Sequence, residues 1–282
     1  MAHALRLFYH ALFSLAYPLL VLRELPGLLS PRPEARRRAR GKLGFVRPPR
    51  VDVWIHAVSG GEALLTRALL ELIPHGEVLL TTQSDTGMET LKRLYLAEGR
   101  EDGVHHLAWF PLDFFPLMGR FLRAASPRLL LVIEHDLWPG LLYLAQRRGV
   151  KTALVNAWFK PRDLAWLRRL PALVPLIYDV DHVFAQNREA FEHARALPGL
   201  RAMVTLAGNL KYRLRSELPP LTVRFPLKKI VCFGSSHEPE EELCVEALAG
   251  RRAETFLILI PRHPARAAEL ARGFAGRRRT VT

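Results

Sequence analysis

The sequence predicts an α/β protein built from parallel, doubly wound sheets. From residue 51 onward, short apolar runs rich in β-branched residues alternate with stretches of helical periodicity. That alternation is typical of right-handed βαβ units whose strands pair in parallel. The chain has 282 residues, enough for about two domains, and the three prolines of the segment 216–227 favour a linker. We therefore expect two Rossmann-like domains.

The first 50 residues indicate a membrane anchor. Residues 4–22 are mostly apolar but are interrupted by Arg6, His10 and Pro18. The apolar stretch after His10, residues 11–22, is shorter than the roughly twenty residues of a spanning helix. Six basic residues follow it: Arg32, Arg36, Arg37, Arg38, Arg40 and Lys42. A signal peptide carries its charges before the apolar run. The order here favours a retained helix, spanning or interfacial, with its downstream end in the cytoplasm. A buried helix of a soluble domain is the alternative.

The distribution of charge narrows the class of partner. The chain carries a net charge of +14, and residues 1–50 contribute +8 of it. A basic concentration beside an apolar segment points to an anionic membrane surface or an anionic substrate. No nucleic-acid motif or aromatic-studded basic ribbon supports a nucleic-acid partner. Cys232 and Cys244 lack metal-ligand spacing and indicate structural thiols in a reducing compartment.

The first domain is predicted to cover residues 51–215, after the anchor and basic segment at 1–50. Its strands are expected at 51–58, 77–82, 105–110, 128–134, 151–156, 182–186 and 201–207. Helices are expected between them, for example at 62–73, 85–97, 138–148 and 187–196. Open α/β sheets bind their ligands beyond the carboxyl ends of the strands, so polar turns at these ends are candidate site residues.

The second domain is predicted at residues 228–282. It contains two strand–helix pairs, at 229–234, 238–249, 255–260 and 265–274, and the basic residues 277–282 lead toward another strand. Two such pairs do not cover both faces of a sheet. We therefore expect this domain to be incomplete and the chain to be C-terminally truncated.

The stretch VDVWIHAVSGGE, residues 51–62, is the most informative of the polar turns. An apolar strand runs into a small-residue turn that places Glu62 at the start of a helix. A carboxylate beside a helix N-terminus suits acid–base chemistry on a phosphorylated substrate. It equally suits a plain helix cap, since Ser59 is a good capping residue and glutamate is favoured in the first turn.

A second titratable cluster follows the strand near residue 130. Glu134, His135 and Asp136 crowd the strand end, and Pro139 stands where a helix begins. Consecutive ligands on one short loop rarely converge on a metal without help from elsewhere, and no second cluster has ligand spacing. We predict no metal site. The turn at Asp85 is similar in position, and a helix cap is the simpler interpretation of it.

Three further turns could serve an anionic ligand. Lys211 follows the last strand of the first domain, although solvated loop lysines are common. Ser235 and Ser236 begin a helix whose free N–H groups would suit a phosphate or would only be capped. Arg262 and His263 lie between two prolines in a stiff turn, where an arginine can bind a carboxylate or phosphate with two parallel bonds. Together these turns predict a cleft site.

The motifs, in this order, resemble those of the Kdo transferases, which add 3-deoxy-D-manno-octulosonate from a CMP-linked donor to a lipid A precursor. The matching segments are WIHAVSGGE (54–62), SDTG (84–87), FPLD (110–113), RLLLVIEHDLWP (128–139), LVNAWF (154–159), AQN (185–187), GNLKY (208–212), GSSHEPEE (234–241) and LILIPRHPAR (257–266). The resemblance covers essentially the whole chain, including the anchor.

The resemblance implies a two-domain GT-B glycosyltransferase that is inverting, independent of metal and cofactor, and located on the cytoplasmic face of the inner membrane. It assigns the general base to Glu62 and a second required carboxylate to Glu134. It places the nucleotide mainly in the second domain, at Ser235, Ser236, Arg262 and His263. An inverting transfer needs one carboxylate to take the acceptor's proton while other donors stabilise the departing phosphate.

Several departures from the family pattern leave alternatives open. The family's VGE is GGE here, TPTG is SDTG, ETELWP is EHDLWP, and NARLS is NAWFK. Family members also continue for well over a hundred residues beyond the counterpart of Thr282. Both carboxylates are present, so these changes bear on substrate preference more than on reaction type. A related glycosyltransferase with another sugar or lipid acceptor, or a non-catalytic binding protein, is the alternative function.

Overall fold

A computed structural model describes residues 2–73, 76–96, 105–134, 138–214, 229–251 and 253–275. The chain forms two compact units, Met1–Arg215 and Ser216–Thr282. The segment predicted as a linker, 216–227, and the strand expected near 277–282 lie outside the described residues.

The first unit contains a seven-stranded sheet in which every neighbouring pair is parallel. Its strands are β1 (Val53–His56), β2 (Val78–Thr82), β3 (His105–Trp109), β4 (Leu129–Ile133), β5 (Lys151–Ala157), β6 (His182–Ala185) and β7 (Met203–Leu206). Their order is β3-β2-β1-β4-β5-β6-β7. Winding starts at β1 in the middle, proceeds to one edge, and resumes at β4 on the other side of β1. This is the Rossmann arrangement.

Helices cover both faces of this sheet. They are α1 (Ala2–Leu28), α2 (Pro33–Lys42), α3 (Gly60–Leu70), α4 (Asp85–Tyr95), α5 (Phe115–Ala125), α6 (Pro139–Gln146), α7 (Pro161–Arg169), α8 (Val174–Ile177) and α9 (Arg188–Arg195). Trp54 belongs to the core formed with α5, α6, α7 and α9, whereas Ile55 belongs to the core formed with α3 and α4. Successive strand residues point to opposite faces. The predicted α/β, doubly wound fold class is confirmed.

The second unit carries a two-stranded parallel sheet among its described residues. Its elements are β8 (Lys229–Ser236), α10 (Glu240–Ala247), β9 (Thr255–Pro261) and α11 (Ala267–Ala275). The two strand–helix pairs follow the predicted order, and their ends differ from the predicted ones by a few residues. Cys232 and Cys244 are free thiols.

The N-terminal helix is longer than the sequence pattern suggests. Pro18 was expected to help interrupt the apolar segment, but α1 continues through both Pro18 and Pro26 to Leu28. The part Ala11–Leu28 is long and apolar enough to cross a membrane by length and composition, with a mean hydropathy of 1.3. A core helix or a signal sequence meets the same criterion, so this remains a weak indication of an anchor.

One side of α1 is fixed to the first unit. The Tyr9 hydroxyl donates to Asp113 Oδ2 over 3.2 Å, Tyr17 stacks on Phe114, and Glu24 lies 3.8 Å from the Lys42 ammonium. The other side exposes large apolar side chains at intervals of three and four residues: Phe8, Leu12, Leu15, Leu19 and Leu22. This spacing keeps them on one helix face. We call them the α1 stripe.

Asp113 links α1 to the helix that follows β4. The side chain is buried, Oδ2 accepts from the Gly140 N–H and Oδ1 accepts from the Leu141 N–H, each over 2.7 Å. Those N–H groups have no partner within α6, because they belong to its first turn. A Cβ at position 140 would lie 2.6 Å from Asp113 Oδ1, so only glycine fits there. Burial raises the pKa of Asp113 from 3.8 to about 7, against the opposing effect of these hydrogen bonds.

We predict that Asp113→Asn flattens the pH dependence of stability between pH 4 and 7. With a raised pKa, folded Asp113 keeps a proton that the unfolded chain releases in this window, so its contribution is fully present below about pH 4 and is lost as pH rises toward 7. The expected loss in the parent is roughly 4 kcal/mol, from 1.36 kcal/mol per pKa unit. Urea unfolding at a series of pH values measures it.

Asp52→Asn is the matched control for this experiment. Asp52 is exposed, and its carboxylate also accepts a backbone N–H, from Glu77. The control should retain the slope of the parent protein. An unchanged slope in Asp113→Asn would show that another group titrates.

Candidate active site

The two strand ends at the centre of the sheet define the candidate site. The register pairs Val53 with Leu129 and His56 with Val132, so β1 and β4 end side by side. The direction of winding reverses between these strands, and open α/β sheets bind ligands in the crevice at such a reversal. Glu134 directly follows β4, and Glu62 lies in the first turn of α3, the helix that follows β1. The structure thus places both predicted carboxylates beside the switch point.

Glu62 is held by a capping box. Ser59 is the N-cap of α3, and its Oγ accepts from the Glu62 N–H over 3.2 Å. In return, Glu62 Oε2 accepts from the Val58 N–H and Oε1 accepts from the Ser59 hydroxyl, each over 2.8 Å. This reciprocal bonding satisfies the Glu62 N–H, which the helix itself leaves unpaired, and the N–H of Val58, the residue before the N-cap. Glu62 is 7% exposed. Glu62 thus takes part in the helix cap, and the hydrogen bonds of the cap fix the orientation of its carboxylate.

The neighbouring SDTG turn supports the turn that carries Glu62. The Ser84 and Thr82 hydroxyls both donate to the Val58 carbonyl, over 2.6 and 3.0 Å. Ser84 also caps α4 by accepting from the Gly87 N–H. Asp85 makes an exposed ion pair with Arg38 at 2.7 Å. This motif thus acts as a helix cap, as its simpler interpretation predicted.

Glu134 makes contacts with two residues from distant parts of the sequence. Its Oε1 lies 3.1 Å from the Lys211 ammonium, and its Oε2 accepts from Trp158 Nε1 over 3.1 Å. The backbone at Glu134 has a φ of 64°, a conformation that non-glycine residues rarely adopt and that often marks functional sites. The other two members of the predicted cluster, His135 and Asp136, lie outside the described residues.

Lys211 reaches Glu134 because the turn after β7 folds back over the sheet. It lies in a short 3-10 helix, Leu210–Arg213, whose Leu210 N–H donates to the buried Asn156 Oδ1 over 3.0 Å. This short helix also contacts α3, the helix that carries Glu62. Lys211 was predicted to bind an anionic ligand, such as the sugar-nucleotide donor. The structure places it in the first unit, paired with Glu134.

His56 is a residue that the sequence reasoning missed. Its ring is fully buried at the end of β1, stacks on Phe110 with centroids 3.9 Å apart, and lies edge-on to Trp138. Nδ1 is 2.9 Å from the Thr81 hydroxyl, and Nε2 has no hydrogen-bond partner among the described residues. Burial lowers the pKa of His56 to about 3, so the ring is neutral at pH 7. The sequence signal that could have identified His56 is its position as a polar residue inside the apolar run VWIHAV.

The second unit brings its predicted residues to adjacent turns. The Arg262 N–H donates to the Ser236 carbonyl over 3.0 Å, so the turns after β8 and β9 lie side by side. Arg262 and His263 are exposed. The prediction that Ser235 and Ser236 begin a helix is wrong, because both belong to β8 and α10 begins only at Glu240. Ser235 has a φ of 60° at an irregularity of the β8 pairing. The Ser236 side chain is buried and donates to Glu241 Oε1 over 2.9 Å.

Sequence reasoning also missed the buried carboxylate of this unit. Glu241 is 1% exposed and pairs with Arg266 at 3.4 Å. Arg266 also lies 3.6 Å from Glu238, whose side chain is exposed. A buried charge needs such partners, because desolvation without them is costly. The Ser236 hydroxyl is thus committed to a network that fixes α10, while Arg262 and His263 lie open to solvent.

The fold and the site define an α/β protein of the Rossmann class with two carboxylates beside its switch point. Residues 35–214, more than half of the chain, match the family model described as 3-deoxy-D-manno-octulosonic-acid transferase (kdotransferase). The chain belongs to this family.

Full-length relatives carry the same family name. The chain is 34% identical to the 3-deoxy-D-manno-octulosonic acid transferase of Bordetella pertussis, over 86% of this chain and 59% of that protein. It is 28% identical to that of Haemophilus influenzae, over 93% of this chain and 64% of that protein. A probable mitochondrial 3-deoxy-D-manno-octulosonic acid transferase of Arabidopsis thaliana is 26% identical over 82% of the chain. The chain thus spans about three fifths of the length of the first two relatives.

We predict that Ser59→Ala lowers the free energy of unfolding by about 1 kcal/mol, because α3 loses its N-cap and Glu62 loses one hydrogen bond. Urea unfolding measures the change. Ser14→Ala, an exposed serine within α1, is the control and should leave stability nearly unchanged. Equal stabilities of the two variants would contradict the capping box.

Proposed function

We propose that the protein is an inverting glycosyltransferase that moves Kdo from CMP-Kdo to a lipid A precursor in lipopolysaccharide biosynthesis. The observation that carries this proposal is the placement of Glu62 and Glu134 at the two sides of the switch point, in a chain of the Kdo transferase family. The relatives named above are transferases of the same sugar acid.

Glu62 is the proposed general base. An inverting transfer requires a carboxylate that takes the proton of the acceptor hydroxyl as that oxygen attacks the anomeric carbon. The two carboxylate oxygens of Glu62 accept from Val58 and Ser59, and the acceptor hydroxyl would donate to this same carboxylate. The two bonds keep the side chain in one orientation, which favours a reactive geometry.

Glu134 and Lys211 are proposed to act together beside this base. The Lys211 Nζ atom lies 3.1 Å from Glu134 Oε1, and the lysine side chain is 54% exposed to solvent. An ammonium in this position can bind an anionic group of a substrate, while Glu134 fixes the lysine's direction. Kdo itself carries a carboxylate, which suits such a cation.

The second unit is proposed to hold the nucleotide. Arg262 and His263 are exposed, and donors at this turn could stabilise charge on the departing CMP phosphate. The Ser235 hydroxyl is a further donor, whereas the His237 N–H is already bonded to Glu240 Oε2. Ser236 contributes by positioning, since its hydroxyl binds Glu241.

The α1 stripe is proposed to lie in the interface of the membrane that contains the lipid acceptor, at the cytoplasmic face of the inner membrane. Tyr9, Tyr17 and Glu24 hold one side of α1 against the first unit, which favours a helix lying on the bilayer over one crossing it. Basic residues of α2 would add electrostatic attraction to anionic lipids.

We predict that Glu62→Gln lowers turnover by about 10²- to 10⁴-fold, because a general base is lost. Glutamine can still accept the Val58 N–H, as capping boxes contain either residue, so folding should be preserved. Sugar transfer from CMP-Kdo to a lipid A precursor by the natural gene product is the assay, with CMP binding measured in parallel.

Glu71→Gln, an exposed carboxylate at the end of the same helix, is the matched control and should retain full turnover. If Glu62→Gln stays within a few-fold of the parent, the base is elsewhere and Glu134 is the next candidate. If the parent protein binds CMP but transfers no sugar, the non-catalytic alternative is correct. Transfer only to another acceptor or from another donor would favour the related-glycosyltransferase alternative.

We predict that replacing Leu15 and Leu19 by serine weakens binding to anionic vesicles about 100-fold. These side chains are 78% and 68% exposed, and burying a leucine contributes at least roughly 1.5 kcal/mol. Sedimentation with vesicles of phosphatidylglycerol and phosphatidylcholine measures the effect. The control carries the same change at Leu72 and Leu96, exposed leucines outside α1. Equal sedimentation of both double variants would contradict the interfacial role of the stripe.

A further inference from the structure

A groove of about 620 Å³ lies beside α5 in the first unit. Its lining residues are Gly44, Phe45, Val46, Arg47, Pro48, Arg120, Phe121, Arg123 and Ala124. Gly44 adopts a φ of 70°, and the Arg120 guanidinium donates to its carbonyl, which fixes the start of the loop against the helix. The Val51 N–H donates to the Ala125 carbonyl at the far end of α5. The loop therefore runs along α5 and closes one side of the groove.

The groove is separate from the candidate active site. Val51 leads into β1 at its amino end, and α5 ends shortly before β4 begins. The groove therefore lies toward the amino ends of these strands. Glu62 and Glu134 lie at the opposite, carboxyl ends.

The groove carries an uncompensated positive charge. It is lined by Arg47, Arg120 and Arg123, and no carboxylate within the described ranges lies at ion-pair distance from any of the three. A fourth cation, Arg148, also lies against α5, because a Cβ at Gly119 would be 3.8 Å from its Nη2 atom. Burial and then the charge of Arg123 lower the pKa of Arg148. Clustered arginines match the geometry and charge of a phosphate group.

Apolar side chains share the groove with these arginines. Phe45 is 61% exposed and Val46 is 41% exposed, next to the buried Phe121. A site for a small soluble phosphate has no need of exposed apolar residues, whereas a lipid phosphate brings both a charge and hydrocarbon to its site. The composition of the groove therefore favours an amphiphilic ligand.

The groove also lies near α1. Tyr17 of α1 stacks on Phe114, the residue before α5, with ring centroids 4.1 Å apart. At 1.5 Å per residue, Arg120 lies about 9 Å along the helix from that stacking contact, and Arg123 about 14 Å. The groove thus lies along the helix whose start α1 contacts.

We propose that this groove binds the phosphate headgroup of an anionic bilayer lipid, with Arg47, Arg120 and Arg123 around the phosphate and Phe45 and Val46 against the start of the acyl chains. This inference rests on the proposed contact of α1 with a membrane. It adds a defined lipid site to that contact, which otherwise depends on the α1 stripe and diffuse basic charge.

The test uses soluble short-chain lipids, so that binding to the groove is measured without a membrane. Dihexanoyl phosphatidylglycerol, below its micelle concentration, is titrated into the full chain and followed by calorimetry. The variant Arg47→Gln/Arg123→Gln removes two exposed arginines and leaves Arg120 to hold the loop. The control Arg195→Gln/Arg201→Gln removes two exposed arginines of α9 and the segment before β7.

We expect the groove variant to bind this lipid about 30-fold more weakly than the parent, at roughly 1 kcal/mol for each lost arginine, and the control to bind it as the parent does. Dihexanoyl phosphatidylcholine, which has no net charge, should bind far more weakly than the glycerol lipid. Glycerol phosphate, which has no acyl chains, should also bind more weakly.

Three results would overturn the proposal. The first is a parent protein that does not bind the phosphatidylglycerol lipid at all, and the second is a groove variant that binds it as tightly as the control variant does. The third is binding of glycerol phosphate as tight as that of the lipid, which would make the groove a site for a soluble phosphate. The Leu15→Ser/Leu19→Ser variant separates this inference from the membrane proposal. If this variant loses vesicle binding but still binds the soluble lipid, both the membrane contact of α1 and the lipid site in the groove are supported. If its vesicle binding is unchanged while the arginine variant no longer binds the soluble lipid, only the lipid site in the groove is supported.

Discussion

The parallel pairing of β1 with β4 is the constraint on which the rest of the first unit depends. The crossover after β1 places α3 on one face, and the crossover after β4 places α6 on the other. The two helices therefore lie on opposite faces, and the side chains that follow the two strand ends come together at the crevice between them, beside the 3-10 helix Leu210–Arg213. Glu62 and Glu134 occupy this position because each follows one of the two strands. Any protein with this strand order has the same opening, and the residues around it decide the chemistry.

Buried carboxylates at helix N-termini give the first unit its rigidity around that opening. Asp113 binds the first turn of α6 from outside the helix, whereas Glu62 binds the turn that precedes its own helix. The difference matters for chemistry. Asp113 is almost fully enclosed and also accepts from Tyr9, so its role is structural. Glu62 is proposed to act as the base as well, and a carboxylate can cap a helix and also take a proton, since its two oxygens together offer about four lone-pair sites.

The N-terminal helix shows how packing and partner binding can be divided between two faces. Polar and aromatic groups of α1 hold it to the first unit, while leucines every three or four residues remain in water. An exposed apolar surface of this regularity is unusual on a soluble protein and marks an interaction surface. The proposed lipid acceptor would explain this arrangement, since an enzyme resting on a bilayer could take its acceptor directly from that surface. The arginine groove beside α5 would add a second point of attachment.

Local sequence patterns determined the fold class, the strand and helix order and the strand-end positions of Glu62 and Glu134, because alternating periodicities and capping residues act within a few neighbours. They did not determine the path of α1, where tertiary contacts outweigh the local cost of Pro18. Nor did they predict the pairing of Lys211 with Glu134 or the burial of His56. Those depend on which strands become neighbours and on what packs above their ends. Strand order arises from the burial of both sheet faces at once, and residues distant in the sequence are brought together only when that burial is complete.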